Sequence, residues 1–187
     1  MNYKNSEYIL YLDMDGVLVD FDAGFHKISR GIDIKRFSKE QGEQAARAKY
    51  LAAGVEFWAG LEWVNGGKEI WDTASRLFQN VHILSSAGTT DPERGEMVIT
   101  GKRHWLSKHI PSMAVENIHI VLGSHRKQEY ASPMAILVDD LNKTIQSWQG
   151  KGGIGILHDY AKYKKSVKAL ERLASFKLSE IAKQVVH

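Results

Sequence analysis

Apolar and polar positions divide this chain into alternating kinds of segment. Val, Ile, Leu and Tyr carry the run from Tyr8 to Leu12 as a buried strand, and Val81 to Leu84, Ile118 to Leu122, Ala135 to Val138 and Ile154 to Leu157 repeat that character. Between the runs, apolar residues recur at helical spacing: Ile70, Ala74, Leu77 and Phe78 within Lys68 to Phe78, a stretch near Lys102 to His109, and Leu141, Ile145 and Trp148 on one face. A last helical pattern starts near Tyr160 and carries Val167, Leu170 and Leu173. Strands alternating with helices predict an α/β fold, a parallel sheet with right-handed crossovers and helices on its faces. Residues 21–60 interrupt the alternation. They are polar, with Ala45, Ala46, Ala48, Ala52 and Ala53 among charged residues, and predict a small helical insertion after the first strand. The expected division is a core of residues 1–20 and 61–187 and an insertion of 21–60.

At 187 residues the chain fits one domain with a modest insertion and can bury a substantial core. Its 43% hydrophobic and 25% charged residues read as soluble and globular, and no apolar run approaches the length of a membrane span. Lys4, Asn5, Ser6 and Glu7 interrupt any leader-like pattern, so a cytoplasmic protein is expected. The absence of cysteine excludes disulfides, thiol catalysis and Cys-ligated zinc. A net charge of +3 is mild; Lys162, Lys164, Lys165 and Lys168 cluster as a solvated helix face, and a nucleic-acid partner is disfavoured for want of a denser stripe. A homodimer is compatible with this reading.

The candidate chemistry lies where strands end, since open parallel sheets bind ligands at the carboxyl edge. The first run ends in DMDGVLVD, with Asp13 and Asp15 one residue apart and Gly16 allowing a tight turn. Two close carboxylates repel unless a proton or cation neutralises them, and a hard divalent cation such as Mg2+ suits oxygen ligands. An acidic turn would look the same from DxD alone. The VHIL run ends on Ser85 and Ser86, hydroxyls that could hold phosphate oxygens or simply form a turn. The Ala135 to Val138 run ends on Asp139 and Asp140; a helix cap explains one of these acids but not both. Two lysines could neutralise developing charge: Lys127 in GSHRKQEY, placed near the rim by the strand before it and so preferred, and Lys102 in GKRHWLSKH.

The apolar strand followed by DMDGVLVD resembles the first motif of the haloacid dehalogenase (HAD) superfamily of phosphoryl-transfer enzymes. The set DMDGVLVDF, FW then LE, KRHWLSKH, HRK, ILVDDLN and GGIGILH is similar to its 5'(3')-deoxyribonucleotidase branch. The resemblance implies a Rossmann-like HAD core with a small helical cap, and an Mg2+-dependent phosphomonoester hydrolase acting on nucleoside monophosphates through an aspartyl-phosphate. It implies Asp13 as nucleophile and Asp15 as acid and base. Ser85, Ser86, Lys127 and Lys102 become candidates for phosphate binding. Mg2+ would be held by the Asp13 carboxylate, the Asp15 backbone carbonyl and Asp140 or Asp139, with Asp140 favoured as the direct ligand. Phe21, Phe57 and Trp58 correspond by position to aromatics that stack on a nucleobase, although cap-to-core packing would place aromatics there too. Ala87 and Gly88 depart from the bulkier residues usual after the second motif. Alternatives are a HAD phosphatase for a polynucleotide 3'-phosphate or a sugar phosphate, and a catalytically silent nucleotide-binding protein.

Other patterns dissolve on inspection. Gly150, Gly152 and Gly155 spell GxGxxG but follow a helix and precede a strand, the reverse of a dinucleotide-binding turn. No P-loop occurs, and the eight histidines show no HExxH spacing and read as scattered packing and surface residues.

Overall fold

The computed structural model describes residues 4–175. Its elements run β1 (Asn5–Leu12), α1 (Phe21–Ile28), α2 (Ile34–Gln41), α3 (Glu43–Leu51), α4 (Gly54–Ala59), α5 (Gly67–Leu77), β2 (Phe78–Ser86), α6 (Pro92–His109), β3 (Ile118–Val121), β4 (Ala135–Asp139), α7 (Asn142–Gly150), β5 (Ile154–Leu157) and α8 (Lys164–Ser175), with a 3-10 helix at Ser124–Tyr130. The five strands form one parallel sheet in the order β3-β2-β1-β4-β5, the α/β architecture expected from the alternating pattern. The chain builds outward from β1 through β2 to β3 and then returns to β1's other side with β4 and β5. That reversal opens a crevice at the carboxyl end of β1.

Strand periodicity sorts the core into two layers. Tyr8, Leu10 and Leu12 of β1, with Ile136 and Val138 of β4, enter the larger cluster, which α5, α6 and α8 cover with Ile70, Val98, Trp105 and Leu170. Tyr11 and Leu137 face the opposite side, with Ile145 and Trp148 of α7. The central strands are buried on both sides and therefore read as continuous apolar runs rather than alternating ones. On the second face His82 and His119 stack at 9° with ring nitrogens 3.0 Å apart, so these two histidines are a cross-strand pair, not scattered ones.

Other expectations shift at element ends. α6 starts ten residues before the anticipated Lys102, because the Asp91 carboxylate caps it by accepting from the Glu93 and Arg94 amides and Pro92 occupies the first turn. The first residues of that helix, Pro92 to Glu96, carry no apolar position to extend the periodicity back to its start. Leu141 does not share the buried face of Ile145 and Trp148; it precedes α7 and is 51% exposed. Lys162, Lys164, Lys165 and Lys168 are exposed as anticipated, Lys164 pairing with Glu69. Among the described residues no helix is long and apolar enough to cross a membrane.

Residues 21–60 form α1 to α4. Asp20 and Asp33 cap α1 and α2 through their side chains, and α4 lies against α6, where a Cβ on Gly101 would run into Trp58 and the Val55 carbonyl. The insertion thus packs on the helix that carries Lys102.

Candidate active site

Parallel pairing brings the acidic strand ends together. Leu12 pairs with Val138, and the Asp13 amide donates to the Val138 carbonyl at 3.0 Å, so Asp13 and Asp139 leave adjacent strands side by side. Past Asp13 the chain coils tightly: the Met14 carbonyl accepts from the Val17, Leu18 and Val19 amides. Met14 is buried in this turn while Asp15 stays partly exposed. Gly16 has φ +73°, and a Cβ there would collide with the Asp140 carboxylate. Glycine at this position is what lets Asp140 approach the loop.

The acids fall into two groups, each tied to a buried lysine. In the first, Lys127 donates to Asp139 Oδ2 at 2.7 Å and lies 2.9 Å from Asp13 Oδ2. Oxygens of Asp13, Asp139 and Asp140 come within 4.8 Å of one another. In the second, Lys102 donates to Asp15 Oδ2 at 2.6 Å, Ser85 Oγ at 2.8 Å and the Ser86 carbonyl at 2.9 Å. Ser86 Oγ is engaged by the Gly88 amide at 3.0 Å. The sequence placed Lys127 ahead of Lys102; the fold brings both to the site, on opposite sides.

Four carboxylates against two ammonium groups leave the site electron-rich. Burial first, then the Asp13, Asp139 and Asp15 charges, pushes Asp140 up to about 8. Burial and Asp13 push Asp139 up to about 6 against the pull of Lys127. Burial works against the Lys127 ammonium, but Asp13 and Asp139 outweigh it and hold its pKa above the ordinary lysine range. Burial raises Asp15 despite Lys102, and its Oδ1 is a buried oxygen with no hydrogen-bond partner. The donor set fits a hard divalent cation: three carboxylate oxygens in reach of one another, on acids that burial and mutual repulsion make reluctant to ionise without positive charge. The Asp15 carboxylate lies outside that set, held by Lys102.

The three aromatics named from sequence form one cluster, Phe21 meeting Phe57 at 6.2 Å and Trp58 at 5.6 Å and Phe57 meeting Trp58 at 5.0 Å, but they differ in exposure. Trp58 is 2% exposed, stacked on Phe21 at 5.6 Å, with Lys102 Nζ 5.1 Å from its ring centre. It backs the site rather than offering a free face. Phe57 lines a cleft between α1 and α4 with Asp20, Lys27 and Glu56, which none of the four site aspartates lines. Phe21, partly exposed at the start of α1, is the one that meets both Trp58 and Tyr50. Tyr50 was missed. Only its placement on an Ala-rich helix one turn after Arg47 marks it in the sequence.

No protein-family model matches the chain, and no curated protein matches it. Solved structures similar in fold include a hydrolase from Pseudomonas syringae, 13% identical over 84% of this chain and 89% of that one, TM-score 0.48. A HAD hydrolase, family IA, variant 3, from Entamoeba histolytica is 13% identical over 83% and 85%, TM-score 0.45. A HAD family enzyme from Bacteroides thetaiotaomicron, in complex with magnesium and inorganic phosphate, is 15% identical over 83% and 96%, TM-score 0.44.

Proposed function

We propose that the protein is an Mg2+-dependent phosphomonoester hydrolase of HAD type, with nucleotides as its substrate class. The observation that carries this reading is the convergence of Asp13, Asp139 and Asp140 on one point while Asp15, two residues from Asp13, is held separately by Lys102 beside Ser85. In this reading Asp13 is the nucleophile. Its carboxylate oxygen forms a bond to phosphorus as the bond to the leaving oxygen breaks, and the proton of Asp15 goes to the departing alkoxide. Asp15 then takes a proton from water as the water oxygen attacks phosphorus and Asp13 is released. A raised Asp15 pKa suits the first of these tasks and its unpartnered Oδ1 provides an atom to carry the proton. In this reading Lys102 and Ser85, which meet at 2.8 Å with the Ser86 carbonyl beside them, hold phosphate oxygens, and Lys127 steadies Asp13 and Asp139. Mg2+ held by Asp13, Asp139 or Asp140 and the Asp15 carbonyl would neutralise nucleophile and phosphate together.

Nucleotide specificity is supported by the aromatic group that the insertion sets beside Lys102, with Phe21 partly open to a base. The test is phosphate release from deoxy- and ribonucleoside monophosphates and from sugar phosphates, with Mg2+ or EDTA. Metal-dependent turnover that favours nucleotides is expected. Turnover of sugar phosphates alone would reject the substrate class, and none on any compound would reject the activity.

A further inference from the structure

The insertion reaches the core rim at a point where the core lacks a side chain. Gly88 has φ +70°, and a Cβ built on it would lie 3.1 Å from the Tyr50 hydroxyl. The phenol therefore stands where a residue following the Ser85–Ser86 turn would otherwise line the site. Packing fixes it there: the Tyr50 ring meets Phe21 and Trp58 edge-on, with centres 5.4 and 5.8 Å apart. Burial raises the phenol's pKa, as does the nearby Asp15 carboxylate, and the Arg47 guanidinium beside it acts the other way, so Tyr50 lies between Asp15 and Arg47 in electrostatic reach of each. Arg47 precedes Tyr50 by one turn of α3, is exposed, and has no carboxylate partner among the described residues.

A guanidinium keeps its charge and offers a fork of donors that matches carboxylate or phosphate oxygens. This one stands beside Tyr50, whose phenol is in reach of Asp15, the group that protonates the departing alcohol in the proposed mechanism. We propose that Tyr50 and Arg47 form a leaving-group subsite that selects phosphomonoesters whose alcohol carries a second phosphate. The inference rests on the phosphohydrolase reading and sharpens its substrate class. Tyr50 donates its hydroxyl hydrogen to the leaving group, and Arg47 takes the second phosphate. That phosphate is either the other monoester of a nucleoside bisphosphate or the diester of a 3'-phosphorylated oligonucleotide.

The experiment measures kcat/KM of the full chain with Mg2+ on p-nitrophenyl phosphate, a nucleoside 5'-monophosphate, a nucleoside 3',5'-bisphosphate and a 3'-phosphorylated dinucleotide. The wild type should prefer a compound with two phosphates, and which of the two it prefers distinguishes the sources. Arg47→Ala should lower the ratio of that compound to p-nitrophenyl phosphate about tenfold, chiefly through KM, and Arg47→Lys should keep part of it. A ratio unchanged in Arg47→Ala, or a wild type that prefers the monophosphate, overturns the subsite while leaving the phosphatase standing. Failure of the wild type on all four compounds overturns the phosphohydrolase reading, and the subsite falls with it.

Discussion

The two lysine-centred halves of the site are built by different means. Around Lys127, Asp13 and Asp139 meet because β1 and β4 are neighbours in parallel register, and Asp140 joins them because Gly16 leaves it room. Around Lys102, Asp15 and Ser85 meet because an 18-residue helix delivers a buried ammonium between two strand ends, with Trp58 of the insertion packed beside it and Tyr50 against Trp58. The first half is a product of sheet topology and concentrates negative charge. The second is a product of helix packing and sets the groups that would face a substrate. On the proposed reading, chemistry common to many substrates sits on the sheet, and selection among them sits where the insertion touches it.

The comparison breaks most visibly at Asp13, the proposed nucleophile. Asp13→Asn should lower turnover at least about 1,000-fold while the protein still melts cooperatively, since an isosteric amide keeps the strand end intact; phosphate release and a thermal melt together check this. Next come the lysines, whose loss should differ in kind. Lys127→Met leaves Asp13 and Asp139 facing each other without a buried cation, a change costing about 3–5 kcal/mol when one partner of a buried pair is removed. Added Mg2+ should recover much of that loss. Lys102→Met should lower kcat about 100-fold by removing a donor from the phosphate, and Mg2+ should do little for its stability. Equal rescue of both variants by Mg2+, read as the shift in melting temperature, would erase the distinction between the halves.

How far each half was legible in sequence follows from the same difference. Asp13, Asp139 and Asp140 end apolar runs, so a strand pattern and the rule that parallel sheets bind at their carboxyl edge were enough to group them. Ser85 was found the same way. Lys102 lies mid-helix, in a segment whose polar first turn concealed the helix start, and only its tertiary position shows that it reaches Asp15. Tyr50 carries no motif at all. Its place depends on α3 meeting a glycine thirty-eight positions further on, a contact that local periodicity does not encode. Phe57 and Trp58 show the same limit: adjacent in sequence and in ring contact, one borders a cleft while the other is buried, a difference the sequence does not mark.

Smaller effects sharpen the comparison through pH. Asp140 and Asp139 are pushed above the ordinary carboxylate range, so without metal the folded chain holds protons that the unfolded chain releases. Stability in EDTA should therefore be greatest below about pH 4 as far as these two groups are concerned, and their contribution should be lost as pH rises to about 8. Asp140→Asn should flatten that slope, measured by melting temperature against pH. Binding of Mg2+ requires the ionised acids, so its affinity should rise across about pH 6 to 8 and level off above. Titrations at three pH values would show this, and a flat affinity would contradict the charge balance described for the Lys127 half. The smallest change should be Tyr50→Phe, which keeps the packing against Phe21 and Trp58 and removes one hydrogen-bond donor, lowering kcat/KM severalfold on a two-phosphate substrate.

The central claim is that Asp13 takes the phosphoryl group. Its most direct test is rapid acid quench of the protein during turnover of a phosphomonoester with Mg2+, followed by peptide mass analysis. The account predicts the mass of one phosphoryl group on the peptide containing Asp13, absent in Asp13→Asn; turnover with no covalent adduct, or an adduct on another residue, would contradict it.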